Sequence, residues 1–189
     1  MYLTKLLTSP DYQTKIIAYS LCTSLLSLSA SNRSIFEKNQ TTIKQIINFY
    51  KKHENIYFEY ENKVGKDTGK EATLNQTFQV ELTANEAKNM DETDQKQMKR
   101  VLTTAELHMR STFLAANSAI LLGCCVKWSK FGKTASLLKS RDMDYSKMRL
   151  ILKRFFEFLE HVQGIQESGR ELMKDLIDMF QMMSKENKK

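Results

Sequence analysis

Three histidines (His53, His108, His161), three cysteines (Cys22, Cys124, Cys125) and the glutamates Glu54, Glu59 and Glu61 have side chains suited to metal binding, nucleophilic attack or proton transfer. Their spacing argues against all three chemistries. A metal centre needs ligands that return at short fixed intervals, and no histidine stands in such a relation to another or to a cysteine. Cys124-Cys125 lacks the two-residue gap that lets both thiols reach one ion. A Cys–His nucleophile needs an accessible thiolate, whereas all three cysteines lie in apolar helical patterns that bury them. The stretch Gly65–Gly69 followed by Lys70 imitates a phosphate loop only in part. No strand precedes it, and Glu71 stands where Ser or Thr would hold the metal. The glutamates lie on adjacent turns among lysines, as solvated surface carboxylates do. The expectation is a non-enzymatic protein with no metal, cofactor or small-molecule substrate.

The elements that would carry these residues are helical. Gly (6) and Pro (1) are scarce among 189 residues, so a turn-rich β architecture has too few breakers. Pro10 opens a helix over 11–28, on which Ile16, Ile17, Leu21, Leu25 and Leu28 recur at helical spacing. After a polar joint at 29–32, Asn32 caps a short helix through Lys38. Thr41 or Thr42 caps a longer one carrying Ile43, Ile46, Ile47 and Tyr50. Helix, joint, short helix, long helix is the rhythm of a HEAT or armadillo unit, which cannot bury its own face alone.

Periodicity is lost over 62–97, read as a flexible polar insertion in which only Leu74, Phe78, Val80 and Leu82 alternate. A second block, 98–183, opens with a helix bearing Val101, Leu102, Ala105, Met109, Phe113, Ala116, Ile120 and Leu121. The small-residue stretch Ala115–Ala119, with Gly123, suits close approach of neighbouring helices. A joint over 133–142 with one helical turn at 135–138 follows. Asp144 then caps a helix with Met148, Ile151, Leu152, Phe155, Phe156 and Leu159 inward, and Gly164 breaks it. Leu172, Met173, Leu176, Ile177, Phe180 and Met183 define the last helix, and 184–189 is a frayed tail. The fold class expected is all-α, a HEAT/armadillo-like stack of two blocks, 1–61 and 98–183.

Three unbridged cysteines point to a reducing compartment. No signal-peptide pattern follows Met1, and the apolar stretches 16–28 and 114–126 fall short of the roughly 18–20 residues of a membrane span, so a soluble protein is expected. The net charge of +7 is concentrated. Between Lys127 and Arg154, nine basic residues (Lys127, Lys130, Lys133, Lys139, Arg141, Lys147, Arg149, Lys153, Arg154) face only Asp142 and Asp144. This segment suits nucleic-acid phosphates, an acidic protein surface, or simply water. The aromatic string Phe49, Tyr50, Tyr57, Phe58, Tyr60, beside Lys51 and Lys52, suits base stacking or, at helical spacing, core and interface packing.

Several segments together resemble the C-terminal part of the Wapl domain, the cohesin-release family. Leu102-Thr103-Thr104-Ala105-Glu106-Leu107-His108-Met109, running on to Ala119-Ile120-Leu121-Leu122-Gly123-Cys124, is similar to that family's His-Met helix and its Leu-Leu-Gly-Cys stretch. Asp142–Met148 followed by Leu152-Lys153-Arg154-Phe155-Phe156-Glu157-Phe158 looks like the family's Asp-Phe-Ser and Leu-Lys-Lys-Phe helix. Ser29-Ala30-Ser31-Asn32-Arg33 resembles a joint of the same domain, and the polar insertion sits where the family carries a variable loop.

The resemblance implies a HEAT-like stack in the nucleus, associated with chromatin. It would engage the cohesin ATPase-head region and a HEAT-repeat cohesin regulator, and so promote release of the cohesin ring. It places the partner-binding surface at His108, Met109 and Phe113, the last two forming an i, i+4 anchor pair whose alternative is simple core packing. The sequence departs from the family at Arg110 and Ser111, where acidic residues are usual, and at the aromatic Phe113. A generic helical scaffold and a DNA-binding helical domain acting through Lys127–Arg154 are the competing readings.

Overall fold

A computed structural model describes residues 2–7, 9–68, 92–129 and 132–186, with side chains over 5–7, 9–62, 103–129 and 132–186. These described residues form eight helices and no strand. They are α1 (Tyr2–Leu7), α2 (Tyr12–Leu28), α3 (Ala30–Lys38), α4 (Gln40–Thr68), α5 (Glu92–Lys127), α6 (Lys133–Ser140), α7 (Tyr145–His161) and α8 (Glu167–Glu186).

Local chemistry explains most of the boundaries. Asp11 caps α2 by accepting from the Thr14 N–H at 2.6 Å, and Asp144 caps α7 by accepting from Lys147 N–H at 3.1 Å. Asn39, rather than Thr41 or Thr42, caps α4, its Oδ1 accepting from the Thr42 N–H. Asn32 lies inside α3 instead of capping it. Its amide donates to the Leu25 carbonyl, and Arg33 donates to those of Leu26 and Ser27, so the open C-terminal end of α2 is satisfied from the next helix. α7 ends through Gln163, held at φ 52°, with the Gly164 N–H returning to the Leu159 carbonyl. The chain reversal therefore falls one residue before the glycine expected to make it.

Other boundaries differ more. The expected insertion over 62–97 is narrower at both edges, since α4 runs to Thr68 and α5 starts at Glu92. The remainder, 69–91, lies outside the described residues, together with the alternating Leu74, Phe78, Val80 and Leu82. α6 spans eight residues rather than one turn, and α8 continues through Glu186 into the stretch expected to fray.

α5 is the centre of the bundle, touching α2, α3, α4, α6, α7 and α8. Its middle is made of small side chains so that these neighbours can come close. Ala115, Ala116 and Ala119 are fully buried. At Gly123 a Cβ would lie 3.0 Å from Leu176 and 3.2 Å from Phe180 of α8, so the glycine lets α8 approach closely. By length and composition Thr103–Lys127 could cross a membrane, which the sequence reading did not anticipate; 67% of that window is buried against other helices. The apolarity of this segment is spent inside the bundle.

Candidate functional site

The long helices α4 and α5 run antiparallel, and of the residues considered for chemistry His53, His108 and Glu61 meet between them and α7. His108 is 1% exposed. Its ring stacks on Tyr60 (centroids 4.0 Å apart) and on Tyr57 (5.3 Å). Neither ring nitrogen makes a hydrogen bond, and Nε2 lies 3.7 Å from Glu61 Oε1. Glu61 is instead ion-paired with Arg154 of α7, which also donates to the Tyr57 hydroxyl at 2.6 Å. Burial, then the nearby Arg154, lowers the His108 pKa to about 4.

One turn along, His53 Nδ1 lies 3.3 Å from Ser111 Oγ, both buried. Burial, with Lys52 and Lys15, likewise brings His53 to about pH 4. Both imidazoles are therefore neutral at pH 7, and they weld α4 to α5 without reaching solvent. His108 was expected on a partner-binding surface; in the fold its side chain is buried and stacked on Tyr57 and Tyr60.

The two other anchor candidates fare differently. Met109 is partly exposed, whereas Phe113 turns its ring edge-on to Phe155 (5.1 Å) and Phe158 (5.5 Å) of α7. They share a face at i, i+4 as expected, but most of Phe113 is committed to the α5–α7 contact. Arg110 pairs with Glu106 at 2.5 Å and lies over the Tyr12 ring, while Ser111 faces inward to His53.

Burial pushes Cys22 and Cys124 up to about 12 and Cys125 higher still, so no thiolate forms near neutral pH. Among the described residues no His, Cys, Asp and Glu group is arranged to hold a metal ion.

The basic segment is dispersed by the fold. Lys127 is paired with Asp175 of α8, Lys153 lies 3.7 Å from Glu157, and Arg154 is drawn inside with Glu61. Lys133, Lys139 and Arg141 are exposed on and after α6; Lys147 is exposed on α7 over the Phe58 ring, and Arg149 is half-buried. Lys130 lies outside the described residues. The described cations of this segment are thus carried by α5, α6, α7 and the residue after α6.

One surface was missed by sequence reasoning. The residues used to identify α2 are not its buried face. Ala18, Tyr19, Cys22 and Leu26 pack inward, whereas Ile17, Leu21 and Leu28 are 67%, 45% and 81% exposed. These three fall within about 40° of one another on the helical wheel, and Ile35 of α3 is 63% exposed. The other exposed positions of α2 are Gln13, Ser20, Ser24 and Ser27, none charged. Ser24 and Ser27 turn their hydroxyls back to the helix carbonyls of Ser20 and Ser24. The signal was present as apolar residues on two sides of one helix.

No family model matches the chain, and a search of the curated proteins finds no match either.

Proposed function

We propose that the chain is a non-catalytic protein-binding module, the end of a HEAT/armadillo-like stack similar to the Wapl domain, which engages cohesin in the nucleus. The uncharged face of α2 carries this reading. A surface helix ordinarily keeps one stripe for the core and the rest for water, and a helix apolar on two sides serves two neighbours. In a repeat stack each unit buries such a face on the next. The occupant we propose for Ile17, Leu21 and Leu28 is a helix of the HEAT-repeat cohesin regulator, the partner that the family resemblance implies. The partly exposed Met109 supplies a second contact, with Phe113 supporting it from the α5–α7 seam. The enclosed thiols and imidazoles are in keeping with a protein that binds rather than reacts.

The test is recovery of cohesin subunits from nuclear extract by the tagged chain, beside an Ile17→Glu/Leu21→Glu/Leu28→Glu variant and a Met109→Ala/Phe113→Ala variant. Cohesin recovered by the wild type and lost with the glutamates is the expected result. Equal recovery by the glutamate variant removes the α2 face from the mechanism. Failure of the wild type to recover cohesin, with other proteins captured instead, leaves a generic helical scaffold.

A further inference from the structure

On the side of α2 away from that apolar stripe, α1, α2 and α4 enclose an open groove of about 380 Å³. Its floor is apolar: Leu7, Tyr19 and Ile46 are buried, and Phe49 stacks on Tyr19 at 5.6 Å. Two lysines border it, Lys15 of α2 and Lys52 of α4, and the Lys15 ammonium lies 5.1 Å from the centre of the Phe49 ring. Among the described residues no acidic side chain lines the groove. Asp11, the cap of α2, feels the Lys15 charge but is not part of the lining. Both lysines come near enough to His53 to disfavour its protonation, an effect second to that of burial. Two ammonium groups thus flank an apolar trough with no counter-charge among its described lining residues.

We infer that this groove docks an acidic peptide segment carrying one apolar side chain. The lining follows α4 from Thr42 to Lys52, roughly 15 Å of helix, which matches about four or five residues of extended chain. The apolar side chain enters over Ile46 and Phe49, flanking carboxylates meet Lys15 and Lys52, and the exposed amides of Gln45 and Asn48 bond the peptide backbone. A single-stranded nucleic acid fits less well, because the Phe49 ring that would stack a base is already engaged by Tyr19 and Lys15.

The experiment is a fluorescence-anisotropy titration of the full chain with a fluorescein-labelled peptide Glu-Asp-Glu-Phe-Glu-Asp-Glu. Saturable binding is expected, weakened about tenfold or more in Lys15→Glu/Lys52→Glu, whose thermal unfolding should match that of the wild type. Replacing the peptide Phe by Ser should weaken binding comparably. The Leu21→Glu variant should bind the peptide normally, which separates this site from the α2 face. Absence of saturable binding overturns the proposal. So does unchanged affinity in the double lysine variant, or tighter binding of a labelled oligo-dT through the same two lysines.

Discussion

α2 and α5 carry the same kind of signal and meet opposite fates. Both are rich in apolar residues on more than one side, and both contain small side chains at helical spacing. α5 is surrounded by six helices, so Ala115, Ala116, Ala119, Leu121 and Leu122 are all buried. α2 packs chiefly on α1, α3 and α5, with Tyr19 and Lys15 reaching Phe49 of α4, and its second apolar side faces water at Ile17, Leu21 and Leu28. Periodicity records that a helix has apolar faces, not whether this chain contains what covers them. Surplus apolar surface on an uncharged helix face is thus where a partner is to be sought.

The comparison breaks if core and face respond alike to substitution. Phe180 is fully buried against Gly123 and Tyr145, and Phe180→Ala should lower the unfolding free energy by about 4 kcal/mol in a urea titration. Arg154→Ala strands Glu61 in the α4–α5–α7 seam with His108 beside it, and about 3 kcal/mol is expected from the same measurement.

Acid probes that seam without mutation. The folded pKa values of His53 and His108, about 4, lie below those of the unfolded chain, near 6.5. The unfolded state therefore binds more protons as pH falls, and stability is lost between about pH 6.5 and 4 and regained as pH rises. A loss on the order of 2 kcal/mol per histidine is expected over that window, opposed in part by Glu54, whose carboxyl is raised by burial. A His53→Gln/His108→Gln variant should show a flatter profile. At the other extreme, Leu28→Ser on the open face should change stability by no more than about 0.5 kcal/mol while reducing partner recovery. A large loss of stability there would place Leu28 in the core and sink the contrast.

Much of the helical layout was legible from residue types. Asp144 before Tyr145 is a short-range signal, because a cap bonds an amide three residues away, and Pro10 marked the start of α2, whose cap Asp11 was not singled out. The inward face of α7, with Met148, Ile151, Leu152, Phe155 and Phe156, was equally plain, since only one side of that helix is apolar. The candidate site was less legible. His108 and Met109 are adjacent in the chain, yet one is sealed between tyrosines and the other partly open, because a 100° turn separates them and α4 covers only one side. The nine cations looked like one patch because they are consecutive in sequence. Folding sent Lys127 to Asp175 and Arg154 to Glu61, both distant in the chain.

Composition and periodicity by themselves determined that this protein is helical, where most of its helices lie, and that its histidines and cysteines do not form a spaced ligand set. Those properties depend on bonds and faces within a few residues. The tertiary structure alone decided which apolar face is covered, which charges are cancelled and which imidazole is buried. Each of these depends on a neighbour brought from elsewhere in the chain, and no local spacing encodes its arrival.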